Sequence, residues 1–146
     1  MNEPEIIISE SISESERQFV IRSLVAYNNT KATPETWREV NVLARQNMEI
    51  VGALLGQTHW NWLFVKTLWV ADPFRRLGLG RKLMLAAERE AAARGCLHAH
   101  LDTFDFQALP FYQKLGYQIF GQLEDYPIGH RRYFLQKRNL PEAVKG

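Results

Sequence analysis

Asp72-Pro73-Phe74-Arg75-Arg76-Leu77-Gly78-Leu79-Gly80 is the stretch of this sequence best equipped for chemistry. Two glycines one residue apart let a ligand come close to the backbone. The segment also leads into a run with helical spacing. The first N–H groups of a helix have no partner within it, and the helix dipole puts partial positive charge there. Such a start suits a phosphate or pyrophosphate, and Arg75, Arg76 and Arg81 add full charges. A tight turn carrying surface arginines fits the same residues. Two phosphate motifs are excluded: the glycines are not followed by the Lys-Ser or Lys-Thr of a P-loop, nor by the third glycine of a dinucleotide fingerprint.

The flanking segments must position this loop. Leu63 to Val70 is almost wholly apolar, as expected of a strand covered on both sides in the middle of a sheet. From Gly78 onward Leu79, Leu83, Ala86, Ala87 and Ala91 form an apolar stripe, with Arg81, Lys82, Glu88, Arg89 and Glu90 outside it. Gly95 suits a left-handed end to that helix, and Leu97 to Phe104 reads as the next strand. Earlier in the chain, Trp37 to Arg45 alternates polar and apolar residues, Gln46-Asn47 supplies a turn, and Ile50 to Leu55 follows as a strand. Ser13-Glu14-Ser15-Glu16 matches a capping box, predicting a helix that packs Val20, Ile21, Leu24 and Val25 inward. Before it lies a short β-branched run, Ile6 to Ile8. Gln107 to Leu115 reads as a short helix closed by Gly116. Tyr117 to Leu123 and Arg132 to Lys137 are two last strands around the turn at Pro127-Ile128-Gly129. Together these predict a mixed α/β sheet with helices on both faces.

At 146 residues the chain fits one domain, 1–146, with a single core. Eighteen Lys and Arg against sixteen Asp and Glu leave +2, so no broad field for nucleic acid is expected. A single cysteine, Cys96, excludes an intramolecular disulfide and a multi-thiolate metal site and suits a reducing compartment. It reads as a small buried residue, not a reactive nucleophile. No apolar run is long enough to span a bilayer, so a cytoplasmic location without membrane partners is expected.

Arg75-x-x-Gly78-x-Gly80 resembles the Gln/Arg-x-x-Gly-x-Gly/Ala signature of the GNAT superfamily of N-acetyltransferases. Leu68-Trp69-Val70-Ala71-Asp72-Pro73 is similar to the family's preceding strand. Ala108-Leu109-Pro110-Phe111-Tyr112-Gln113-Lys114-Leu115-Gly116-Tyr117 is similar to its second conserved block. The resemblance runs from about Gly52 to Leu135. It implies an α/β (α+β) GNAT fold, a strongly twisted, mostly antiparallel sheet of six to seven strands that splays between its fourth and fifth. It further implies acetyl-CoA as cosubstrate, with no metal, and an amine of a small molecule or peptide as acceptor. Backbone groups of Leu68 and Val70 would hold pantetheine and thioester. Amides from Arg76 through Leu77, Gly78, Leu79 and Gly80, with Arg75 beside them, would hold the pyrophosphate.

The resemblance makes Tyr112 the general acid facing the cofactor sulfur, since a phenol with a pKa of about 10 can protonate a departing thiolate. A backbone N–H on the Leu68 to Val70 edge would carry the oxyanion. No base can be named, because Leu63 to Val70 holds no carboxylate, and Lys66 and Thr67 occupy its middle. His98, His100 and Asp102 alternate on one strand face, readable as a relay to water or as ordinary polar residues of a half-exposed face. His130 and Asp125 near the last hairpin are further candidates. Asp105 stands where the family often has an Asn. It can accept a hydrogen bond from a pantetheine amide or cap the Gln107 helix. Tyr27, Asn28, Trp60, Trp62 and Tyr126 lie outside the cofactor block. Exposed Trp60 or Trp62 would favour a homodimer. The missing carboxylate leaves open a non-catalytic acyl-CoA-binding domain.

Overall fold

The structure, a computed structural model, describes residues 2–34 and 36–145. The chain forms two compact units, residues 1–35 and 36–146. In the first, α1 (Glu14–Asn29) starts on the expected capping box. Glu16 N–H donates to Ser13 Oγ at 3.1 Å, and Ser13 N–H donates to Glu16 Oε1 at 2.9 Å. Ile6 to Ile8 form no strand. Val20, Ile21 and Leu24 are exposed, against the inward packing expected of them. Within this unit one helix and an extended lead-in offer no second layer to cover an apolar stripe.

The second unit holds six strands, β1 (Arg38–Gln46), β2 (Glu49–His59), β3 (Trp62–Val70), β4 (His98–Phe104), β5 (Gln118–Glu124) and β6 (Arg131–Arg138). Their order is β1-β2-β3-β4-β6-β5, and only the β3–β4 pair is parallel. That pair needs a crossover, which α2 (Leu79–Ala93) supplies. The two hairpins before it turn on Asn47-Met48 and Trp60-Asn61, all four with positive φ, the geometry that matches the twist of paired strands. Gly95 ends α2 at φ 91°, Gly116 follows α3 (Leu109–Lys114) at φ 96°, and α4 (Leu140–Ala143) closes the unit.

One core runs through this unit, with Leu83, Met84, Ala87 and Ala91 of α2 against Leu54, Leu63, Val65, Ala99, Leu101 and Leu135 of the sheet. Cys96 is buried within it. The buried stripe of α2 is rotated from the expected one: Ala86 is exposed, whereas Met84 and Glu88 are inside. Met84 and Glu88 are four residues apart, so they share a face whatever their polarity.

Two irregularities shape the middle of the sheet. Leu55 pairs with Thr67 and Gly56 with Val65, which leaves Lys66 as the extra residue of a β-bulge. A Cβ at Gly56 would sit 2.5 Å from the Phe64 carbonyl oxygen, so only glycine fits there. Beside the bulge, β3 and β4 pair from Trp62↔His98 to Val65↔Leu101 and no further. The sheet therefore opens from Lys66 onward. The splay falls between the third and fourth strands of this chain because Ile6 to Ile8 add none. No helix among the described residues is long and apolar enough to cross a membrane.

Candidate active site

The wedge where β3 leaves β4 is the mouth of a cleft of ≈ 1050 Å³, walled by Val65 to Val70, the loop and first turn of α2, and α3. Backbone direction can be followed along its β3 wall. The Val70 carbonyl accepts from Arg75 Nε at 3.0 Å, while the next N–H, of Ala71, turns back to Val51 of β2 at 2.8 Å. Val70 thus faces away from β2, and by the two-residue alternation of a strand so does Leu68. Their side chains pack toward the core while their edge groups face the opening. Arg75 is tied down here, to Val70 and at 3.5 Å to Asp72.

The opposite wall is the start of α2. Gly78 is its N-cap at φ 81° and offers no side-chain cap. Lys82 N–H is the first to bond within the helix, to Gly78 O at 3.1 Å. The N–H groups of Leu79, Gly80 and Arg81 precede it, and among the described residues no hydrogen bond takes them up. Arg76, at φ 64°, and Gly78 bend the loop so that this turn faces the cleft. Leu77 is exposed. Gly80 matters for packing: a Cβ there would meet the Phe111 ring at 3.3 Å. Two walls of unmatched backbone groups fit a ligand with an amide chain and a pyrophosphate, the chemistry of a coenzyme A thioester.

Tyr112 comes from α3 into the same cleft and is 8% exposed. Burial, with the negative charge of Asp102 second, pushes its pKa up to about 12. Among the described residues its hydroxyl makes no hydrogen bond. Asp105 is not among the cleft residues. Its carboxylate accepts from His130 Nδ1 at 2.9 Å and from Arg131 N–H at 3.0 Å, clamping the β5–β6 hairpin. It caps no helix: the N-cap of α3 is Ala108, which offers no side-chain cap.

The polar row of β4 forms no relay. His98 Nδ1 accepts from Asn139 N–H at 3.2 Å, and His100 stacks on Phe64 with centroids 4.7 Å apart. Burial lowers the His100 pKa, only partly opposed by Asp102. Asp102 lines the cleft, but its Oδ1 accepts from Arg132 Nε at 3.0 Å and Nη2 at 2.8 Å. Trp60 and Trp62 are half-buried, the latter against His98, His100 and Arg138, which removes the exposed-tryptophan argument for a dimer. Tyr27 and Asn28 lie on α1 in the other unit. Among the described residues no three His, Cys, Asp or Glu side chains gather as a metal site.

Sequence reasoning missed a buried ionic group behind Tyr112. Glu88, with no exposure, accepts from the Tyr117 hydroxyl and from Lys137 Nζ, both at 2.8 Å, and the Tyr117 ring meets Tyr112 edge-on at 6.1 Å. Burial and then Glu88 hold the Tyr117 pKa well above its usual value. A signal was present: Lys137 shares strand parity with Leu135 and Tyr133, so a cation was due on the core side.

A six-stranded open sheet, split beside a parallel pair and faced by an uncapped helix start, places the chain among mixed α/β proteins with a cleft between a strand edge and a helix N-terminus. The sequence model of the Acetyltransferase (GNAT) family matches residues 10–117, well over half of the chain. A blasticidin-S acetyltransferase of Streptomyces morookaense is 41% identical over 90 residues, which is 61% of this chain and 66%, just under two thirds, of the relative. An acetyltransferase of Agrobacterium fabrum is 34% identical over 129 residues, 87% of this chain and 94% of that one. The crystal structure of an acetyltransferase from Bacillus cereus superposes with a TM-score of 0.80 at 31% identity, covering 90% of this chain and 97% of its own. This chain belongs to the GNAT family of acetyltransferases.

Proposed function

We propose that the protein moves the acetyl group of acetyl-CoA to a primary amine of a small molecule or peptide, by direct transfer in a ternary complex. The observation that carries this reading is the pairing of an unmatched β3 edge with an uncapped α2 start across one cleft into which Tyr112 projects. The neutral amine nitrogen attacks the thioester carbonyl carbon, a C–N bond forms, and negative charge collects on the carbonyl oxygen. An outward N–H of Leu68 or Val70 would receive that charge. As the C–S bond breaks, the Tyr112 hydroxyl donates a hydrogen bond to the departing sulfur. With its pKa pushed up to about 12 by burial and by Asp102, the phenol is protonated throughout the neutral range and has its proton ready as the thiolate forms. The proton released by the attacking nitrogen returns to the phenol through solvent.

Thiol release from acetyl-CoA, followed over a panel of primary amines, tests the reading. Turnover that falls in Tyr112→Phe is the expected result. A second reading, a domain that binds acyl-CoA without transfer, is favoured by the absence of any carboxylate on β3. Tight CoA binding without thiol release, unaltered by Tyr112→Phe, would establish it instead.

A further inference from the structure

The hairpin joining β5 to β6 builds a second hollow beside the cleft. Phe104, Phe106, Tyr126 and Pro127 wall a space of ≈ 350 Å³, with Asp125 at its side. Phe106 also lines the main cleft, so the two spaces share that ring as a wall. Phe104 and Phe106 lie nearly parallel, 5.3 Å apart and inclined 12°, and Tyr126 stacks on Phe104 at 5.7 Å and 26°. Phe106 is nevertheless 57% exposed and Tyr126 45%.

Charged and polar groups pack against these rings. The Arg132 guanidinium lies 4.9 Å from the Tyr126 centroid and 5.5 Å from that of Phe104, while Asp102 fixes its other side. His130 meets Phe106 edge-on at 5.0 Å and is itself gripped by Asp105. The turn closes through Tyr126 N–H to His130 O and His130 N–H to Pro127 O. Flat apolar faces held ready and left open favour a flat guest, because aromatic pairs gain more than the area they bury. The volume suits one or two rings, at the small end of ligand sites. The backbone of the turn is hydrogen-bonded within itself, and Gly129 N–H donates to Asp125 Oδ1 at 3.3 Å, so selection falls on shape more than on hydrogen bonding.

We infer that this hollow is the acceptor subsite and that it takes an aromatic or heteroaromatic ring carried by the amine. The inference rests on the cleft being the acetyl-transfer site. KM is measured for 2-phenylethylamine and tryptamine against n-hexylamine at saturating acetyl-CoA. The ring-bearing amines are expected to show KM about tenfold lower, an advantage of stacking size. Tyr126→Leu and Phe106→Leu are each expected to bring the ratio toward one. Equal KM values, or a ratio untouched by both variants, overturn the inference while leaving acetyl transfer standing. If no amine releases thiol, the transfer reading fails separately. Calorimetric titration of the CoA-bound protein with 2-phenylethylamine and n-hexylamine then decides the hollow: a ring preference lost in Tyr126→Leu supports it, and no preference overturns it.

Discussion

Two stretches of α2 treat polar groups in opposite ways. At Glu88 the helix buries a carboxylate completely and supplies a partner to each oxygen, Tyr117 and Lys137. At Gly78 to Arg81, two to three turns earlier, it leaves its first amides without side-chain caps, and the facing edge of β3 is left without a strand. A buried charge tolerates no missing partner, whereas unmatched amides at an open cleft are stable in water and available to a ligand. Closed polar groups in this fold mark stability. Open ones mark the proposed binding site.

The largest expected effect lies on the closed side. Glu88→Leu leaves Lys137 without its counter-charge and the Tyr117 hydroxyl without its acceptor, at a cost of roughly 3–5 kcal/mol. Denaturant unfolding would measure it. Adding Lys137→Met removes the orphaned cation and should recover most of the loss. A double variant no more stable than the single one would show that the ion pair is not the unit that matters.

Next comes the open side. Tyr112→Phe removes a hydroxyl that makes no hydrogen bond among the described residues, so the unfolding midpoint should barely move. The rate should drop on the order of a hundredfold, with little change in the KM of acetyl-CoA, as befits a group used on the way to the transition state. A loss of stability as large as the loss of rate would move Tyr112 to the closed class.

The contrast between the two regions also explains what a sequence can reveal of each. The loop and the start of α2 are legible because glycine spacing and a strand-to-helix switch are local facts. The capping box of α1 is legible for the same reason. The opening between β3 and β4 is not, since it depends on where pairing stops, at Val65 and Leu101, and strand register is a long-range property. Glu88 escapes because polarity points to exposure, and a buried acid is identified only by its partners, twenty-nine and forty-nine residues away. Asp105 escapes because the nearest helix and the cofactor are the neighbours a sequence suggests, whereas its partners His130 and Arg131 come from the last hairpin.

Smaller effects distinguish the two glycines of the loop. A Cβ added at Gly78 would meet open space, but the backbone there has φ 81°, so Gly78→Ala should cost about 1 kcal/mol through backbone strain alone. Gly80 has no such strain, and there alanine gains helix propensity while pressing on Phe111 at 3.3 Å. Gly80→Ala should shift stability by about half a kcal/mol or less and raise the KM of acetyl-CoA several-fold. Equal stability losses at both sites would mean that the left-handed bend is not what Gly78 provides.

The smallest effect is one of pH, and it touches both regions at once. The Tyr112 pKa is raised to about 12 by burial and by Asp102, and that of Tyr117 is raised by burial and by Glu88. A phenol whose folded pKa exceeds its unfolded value of about 10 contributes stability that is whole below 10 and is lost as pH climbs through the folded pKa. Both tyrosines should therefore hold the protein steady to about pH 10 and weaken it above. Transfer rate, once the acceptor amine is neutral, should show no falling limb near pH 10, because the Tyr112 hydroxyl is still protonated there. The stability loss should persist in Tyr112→Phe, reduced to the share carried by Tyr117. A falling limb centred on pH 10 in the native protein, absent in the variant, would show that the Tyr112 phenol is solvated and the cleft around it wetter than its burial indicates.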